Sequence, residues 1–186
     1  LSPAPFLYRK YPHQISGGQR QRAVIARALI TRPDFVVADE PIAMADVSVR
    51  AMILDLMAQL KEEFELTYLF ITHDLATCKY ICDHIAIMYL GRIVEIGPLR
   101  SVFSNPVHPY TATLLDAVPV PDPRYRRTHR MPRGEIPSPI DLPPGCSFHT
   151  RCPFARESCR VEVPALTEVG GAHAVACPVR AGSRGS

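Results

Sequence analysis

The hydrophobic pattern of the first hundred residues alternates between helical spacing and short apolar runs. Ser16, with a glutamine three residues later, matches a capping box and predicts a helix that continues to about Ile30. Residues 35–38 are wholly apolar and include two valines, which predicts a buried parallel strand. Apolar residues recur at helical spacing over residues 46–64 and predict a long amphipathic helix.

The pattern continues with a predicted strand at residues 67–71 and a helix that ends at about Cys82. Two further strands are predicted at residues 84–89 and 92–96, joined by a turn that contains a glycine. This order of helices and strands is typical of an α/β fold with parallel strands and flanking helices. In such folds the chemistry lies at the carboxyl ends of the strands.

Proline divides the 186-residue chain into two regions. Only five of the 19 prolines precede residue 98, so we expect regular structure in residues 1–98 and mostly turns and extended segments in residues 99–186. Short helices are predicted around residues 99–103 and 110–117, and a linker over residues 119–144. A basic run in that linker is more typical of a solvated segment than of a nucleic-acid site, because no aromatic series accompanies it.

The composition excludes several classes of protein. With 47% hydrophobic and 21% charged residues, the chain is neither a disordered tail nor a collagen-like fibre. Its apolar stretches are much shorter than the roughly 20 residues that a membrane-spanning helix requires.

The loop before the first predicted helix is a candidate anion site. Its glycines would let backbone N–H groups approach a phosphate, and the helix N-terminus favours negative charge. A tight turn that only feeds the helix is the alternative. The loop consists of Ser16, Gly17, Gly18 and Gln19.

Two adjacent carboxylates follow the apolar run, and a histidine follows the next predicted strand. Asp39 and Glu40 would be costly at a buried strand end without a cation, so magnesium binding by one and activation of water by the other would explain the pair. A surface turn is the alternative for the acids, and a simple exposed histidine for His73.

These residues resemble the second half of an ABC-transporter ATPase domain, a P-loop NTPase fold, in the segments ISGGQRQRAVIARALITRPDFVVADEP and ITHD. The resemblance makes residues 16–19 the signature loop, which binds ATP held by the opposite subunit. It makes Asp39 the residue that holds Mg²⁺ through water, and Glu40 the residue that polarises the attacking water. Asp46 becomes the D-loop acid, and His73 the switch histidine that contacts the terminal phosphate.

The phosphate-binding loop Gly-x-x-x-x-Gly-Lys-Ser/Thr does not occur in the sequence. We therefore expect an ABC-type ATPase fragment that is inactive alone. The alternatives are a degenerate ABC subunit and a metal-stabilised interaction module without enzymatic activity.

Four of the six cysteines lie in a proline-rich stretch with little periodicity, where a crosslink or a metal is expected. Their spacing alone does not choose between an iron–sulfur cluster, zinc and free thiols. Cys78 and Cys82 lie four residues apart on a predicted helix and are interpreted as buried small hydrophobes. The four are Cys146, Cys152, Cys159 and Cys177.

The second region, through NPVHPYT, GEIPSP and GCSFHTRCP, resembles the C-terminal extension of ATPases that serve dipeptide and oligopeptide importers. The resemblance implies that the four cysteines of residues 146–177 hold a [4Fe–4S] cluster. It also implies a second ATPase subunit in a homodimer or heterodimer, transmembrane permease subunits and, indirectly, a substrate-binding protein. No nucleic-acid partner is expected. The expected location is peripheral, on the cytoplasmic face of the inner membrane, and nickel or another solute is the alternative to a peptide.

Overall fold

The computed structural model describes residues 4–43, 45–118 and 134–182. The chain forms two compact units, Leu1–Ile81 and Cys82–Ser186. The proline distribution suggested a division at residue 98 instead. The difference arises because the two strands between residues 82 and 98 pair with each other and with a strand near the end of the chain.

The first unit alternates helices and strands, as predicted. A 3₁₀ turn at Pro12–Gln14 precedes its second helix. Its elements are α1 (Ala4–Leu7), α2 (Gly17–Leu29), β1 (Phe35–Asp39), α3 (Val47–Glu63), β2 (Thr67–Ile71) and α4 (Leu75–Ile81).

The predicted helix starts are confirmed by their caps. The Gln19 backbone N–H donates to Ser16 Oγ at 3.2 Å, and the Ser16 N–H donates back to Gln19 Oε1 at 3.0 Å, which completes a capping box. At the start of α3, Asp46 accepts the Val49 N–H at 2.9 Å. The inner face of α3 forms the core of this unit through buried residues such as Ile53 and Met57.

Strands β1 and β2 form a parallel pair in which Phe35 aligns with Thr67 and Asp39 with Ile71. The parallel pairing is confirmed, but the predicted burial of β1 is wrong. Phe35 and Val37 are 54% and 55% exposed, and within the strand only Ala38 is buried. An apolar run indicates that both faces of a strand are suited to burial, whereas each of these strands has a single neighbour among the residues that the structure describes.

The second unit contains an antiparallel sheet with the order β3-β4-β6-β5. The predicted hairpin is confirmed, with Leu90 and Gly91 at positive φ in its turn. The tail, predicted to be irregular, adds two strands to this sheet and also contains a 3₁₀ turn at His149–Arg151. The elements are β3 (His84–Tyr89), β4 (Arg92–Pro98), α5 (Leu99–Ser104), α6 (Pro109–Asp116), α7 (Ser158–Val161), β5 (Thr167–Gly170), β6 (His173–Val175) and α8 (Pro178–Ala181).

A buried carboxylate ties three segments of this unit together. Glu95 of β4 is fully buried and accepts the backbone N–H groups of Val107 and His108, at 2.8 and 2.9 Å. Nε2 of His173, on β6, lies 2.7 Å from the same carboxylate. Buried polar groups need such partners, so these bonds fix β6 and the chain before α6 against β4.

Part of the predicted linker cannot be compared with the structure. Residues 119–133, which include the basic run, lie outside the described residues, and residues 134–144 contain no helix or strand. In the described part of the chain, no helix combines the length and apolar character needed to cross a membrane.

Candidate functional site

The predicted acid and histidine meet at the carboxyl edge of the parallel pair. Glu40 directly follows β1, and His73 follows β2 by two residues. Their side chains are in contact, with His73 Nδ1 2.7 Å from Glu40 Oε1. The edge is open, because the His73 side chain is 79% exposed and that of Glu40 36% exposed. A carboxylate next to an imidazole at an open edge can accept a proton from water.

The backbone at Glu40 is held in an unusual conformation. Its φ is +46°, in the left-handed region that non-glycine residues rarely adopt. The Glu40 N–H donates to the Ile71 carbonyl at 2.9 Å, and the next two residues, Pro41 and Ile42, are buried. These contacts keep the strained residue in place and so fix where the carboxylate lies.

Asp39 and Asp46 flank this edge in different ways. Asp39 is the exposed last residue of β1. Asp46 caps α3, and its bonds from the Val49 N–H and the Ser48 hydroxyl hold the pKa of its carboxyl below the usual value. Asp46 therefore has a structural role as a helix cap in this unit.

The glycine loop lies at the N-terminus of the 13-residue helix α2. A Cβ at Gly17 would meet nothing within 4 Å, whereas one at Gly18 would lie 3.1 Å from Val49 Cγ1. Gly18 thus allows α2 to approach α3, and Gly17 leaves the helix end open. In the part of the chain that the structure describes, no hydrogen bond joins this loop to Glu40 or His73.

The four cysteines predicted as ligands converge on one cavity of about 190 Å³. His149, Phe148 and Glu162 also line this cavity. The four thiols are half-buried and form no disulfide. His149 was not singled out from the sequence. Its Nδ1 lies 2.9 Å from the Cys146 carbonyl, which can only accept, so Nδ1 carries the proton.

The cavity disfavours thiolates when it holds no cation. Burial raises the pKa of the Cys152 thiol to about 11 and also raises the pKa of Cys146 and Cys177. Within residues 4–43, 45–118 and 134–182, no group of three or more His, Cys, Asp or Glu side chains could hold a single metal ion. The cysteines thus surround a cavity rather than one point.

Gly145 brings two of the cysteine segments together. The next residue, Cys146, donates its N–H to the Cys159 carbonyl at 2.9 Å. A Cβ at Gly145 would lie 2.4 Å from that same carbonyl oxygen and 2.7 Å from the Arg160 carbonyl carbon, and the φ of Gly145 is +71°. Only glycine satisfies both the close approach and the positive φ.

We expect Gly145→Ala to destabilise the second unit by on the order of 2–4 kcal/mol, because the new methyl group meets backbone that cannot move aside. Urea unfolding checks this. Gly171→Ala is the matched control, since Gly171 has φ +60° but open space around it. If Gly145→Ala lowered the free energy of unfolding no more than Gly171→Ala does, the close approach of Gly145 to the Cys159 and Arg160 backbone would have no effect on stability.

Two family models match the sequence. The model described as "ABC transporter" matches residues 4–43, which contain the glycine loop and β1. The model described as "Oligopeptide/dipeptide transporter, C-terminal region" matches residues 94–159, which contain three of the four cysteines.

Similar proteins carry related names. The oligopeptide transport ATP-binding protein AppF of Bacillus subtilis is 47% identical over 93% of this chain and 53% of its own length. The dipeptide transport ATP-binding protein DppF of Haemophilus influenzae is 50% identical over 91% of this chain and 52% of its own length. A solved structure titled as the ADP conformation of MJ1267, an ATP-binding cassette of an ABC transporter, is 35% identical, with a TM-score of 0.48 over 54% of this chain and 41% of that one.

The chain spans about half the length of the curated relatives that it matches. Both family models and both relatives agree with the motifs described above. The chain is thus similar over most of its length to ATP-binding proteins of peptide ABC transporters, and its second region matches the C-terminal region of the oligopeptide/dipeptide group.

Proposed function

We propose that this chain is part of an ATP-hydrolysing subunit that energises a bacterial importer of dipeptides or oligopeptides. The observation that carries the proposal is the contact of 2.7 Å between Glu40 and His73 at the ends of two neighbouring parallel strands. The names of the relatives, an oligopeptide and a dipeptide transport protein, support the class of substrate.

Each residue of this edge has a role in the proposal. Glu40, fixed by its strained backbone, polarises the attacking water and accepts its proton. His73 contacts the terminal phosphate and orients the Glu40 carboxylate through their shared contact. Asp39, exposed at the end of β1, holds Mg²⁺ through water. Electrostatic stabilisation of the transferring phosphoryl group then comes from the cation and the histidine.

The glycine loop serves a second subunit. Its position at an open helix N-terminus supports binding of a phosphate held by the opposite ATPase subunit. The subunit pairs with a second ATPase, identical or related, and acts on transmembrane permease subunits from the cytoplasmic face of the membrane. A substrate-binding protein delivers the peptide on the other side.

The exposed sheet face supports a longer subunit. Phe35, Val37, Leu69 and Ile71 are between 44% and 55% exposed, and their side chains form a largely apolar face on a sheet of two strands. A soluble domain rarely leaves such a face uncovered. In the proposal, further elements of the same full-length subunit cover this face and supply the phosphate-binding loop.

The cysteine cavity fits a [4Fe–4S] cluster. A cluster takes one thiolate on each of four irons, which suits four cysteines spread around a cavity. Zinc, the alternative, would draw the sulfurs onto one ion. Cys146, Cys152, Cys159 and Cys177 would hold the cluster. When bound, it supplies a crosslink among their segments and a one-electron redox couple.

The proposal is tested by His73→Ala in the full-length subunit, reconstituted with its permease subunits and peptide-binding protein. ATP-driven peptide uptake is expected to fall at least about 10-fold, since one phosphate contact and the orientation of Glu40 are lost. His84→Ala, at an exposed strand start outside this edge, is the control. Equal uptake by the His73 variant and the control would contradict the role of the pair.

A further inference from the structure

Arg92 connects the β3–β4 hairpin to the cysteine cavity. It is the half-buried first residue of β4. Its Nη1 donates to the Gly145 carbonyl at 3.4 Å, across 53 residues of sequence. Gly145 immediately precedes Cys146, so the guanidinium lies beside the segment that presents this sulfur to the cavity.

The charge of Arg92 acts on that sulfur. The guanidinium stays protonated in proteins, and its hydrogen bond to the Gly145 carbonyl places that fixed positive charge one residue from Cys146. A negative charge at this edge of the cavity is therefore stabilised by Arg92. Because the guanidinium is only partly exposed, solvent and salt screen this interaction less than they would at the surface.

Of the four other arginines within three residues of a cavity cysteine, Arg160 and Arg180 are engaged elsewhere. Arg160 follows Cys159, but its side chain is 64% exposed and lies 3.6 Å from the Glu157 carboxylate. Arg180 lies over the ring of Phe154, at 4.9 Å from its centroid. Neither places its charge next to a cysteine backbone in the way that Arg92 does.

We propose that Arg92 is a positioning and charge-compensating residue for the cluster, and that it raises the reduction potential of the site. This inference rests on the proposed cluster. Reduction adds one electron from the reductant, with no bond formed or broken, and so increases the negative charge that faces Arg92. Net charge and hydrogen bonding near the sulfurs are among the factors that set such potentials.

The test is a redox titration of the full-length protein, purified without oxygen, with dithionite as the reductant. For Arg92→Gln we expect about a tenfold higher oxidised-to-reduced ratio at the wild-type midpoint, or 59 mV for a one-electron couple. Arg92→Lys keeps the charge and should keep the wild-type midpoint. Arg160→Gln, which removes an exposed charge beside Cys159, is the matched control and should also leave the midpoint unchanged.

The outcomes separate the two proposals. A wild-type midpoint in a fully loaded Arg92→Gln protein overturns the role of Arg92 and leaves the cluster standing. An equal shift in Arg92→Lys and Arg92→Gln overturns the charge argument. If the Arg92→Gln protein does not take up the cluster, the midpoint potentials of Arg92→Met and Arg92→Lys separate the effect of charge from that of side-chain shape in the same way. Wild-type protein without iron or sulfide refutes the cluster and, with it, this inference.

Discussion

Replacing Glu40 with glutamine in the full-length subunit should reduce ATP hydrolysis by at least about 100-fold while leaving ATP binding intact. Glutamine has nearly the same shape as glutamate and can keep the contact with His73, but its amide cannot accept a proton from water. The strained backbone at Glu40 should tolerate this change, because φ and the bond to the Ile71 carbonyl do not depend on the side-chain charge. Phosphate release and nucleotide binding, measured on the same sample, separate the two effects.

The control for this change is Glu62→Gln, which removes a carboxylate from an exposed position of α3. It alters the net charge equally but lies away from the strand ends. Hydrolysis by the Glu62 variant should match the wild type. If the Glu40 variant also hydrolyses ATP at the wild-type rate, Glu40 is not the group that activates water.

The second large effect is expected at Cys152. Burial raises the pKa of this thiol to about 11, so in the empty cavity it is protonated and contributes no charge. Its replacement by alanine removes one of the four sulfurs that line the cavity. We expect the full-length protein to lose most of its iron and sulfide and its visible absorption, because each iron of the cluster needs its own thiolate.

Cys78→Ala is the matched control for Cys152→Ala. Cys78 is a buried cysteine of α4 that does not line the cavity, so its loss should leave the iron content unchanged. Equal metal content in the wild type and the Cys152 variant would contradict the proposed ligand set. A colourless wild-type protein that contains one zinc ion would replace the cluster with a zinc site.

The order of elements in the first unit could be predicted because each element is determined by its local sequence. The capping box at Ser16, the apolar run before Asp39 and the helical spacing in α3 each depend on neighbouring residues only. Exposure of β1 could not be predicted in the same way. An apolar strand has the same sequence whether or not other elements cover it, and in this unit Phe35 and Val37 remain exposed.

Long-range pairing in the second unit was the main feature that the sequence did not indicate. The β3–β4 hairpin follows from its alternation and its turn. The strand that pairs with β4 on its other side, β6, begins 75 residues after the end of β4 and has only three residues. Strand partners at such distance depend on side chains meeting in the core. The buried contact between Glu95 and His173 joins these two strands, and no local pattern marks it.

The candidate site was partly predictable because its residues follow strands that the local sequence predicts. Glu40 and His73 follow two predicted strands, and neighbouring parallel strands end at the same edge, so their contact could be expected. The role assigned to each residue came from the family resemblance. Arg92 was not predicted, since an arginine after a turn is ordinary and its partner, the Gly145 carbonyl, lies in the other region of the sequence.

The most direct test of the account is peptide uptake by membrane vesicles that contain the full-length subunit, its permease partners and the peptide-binding protein. The account predicts that di- or oligopeptides accumulate only when ATP is present on the side of the ATPase subunits, and that the Glu40→Gln variant abolishes this accumulation. ATP-independent uptake, or ATP-driven uptake that is unchanged in the Glu40→Gln variant, would contradict it.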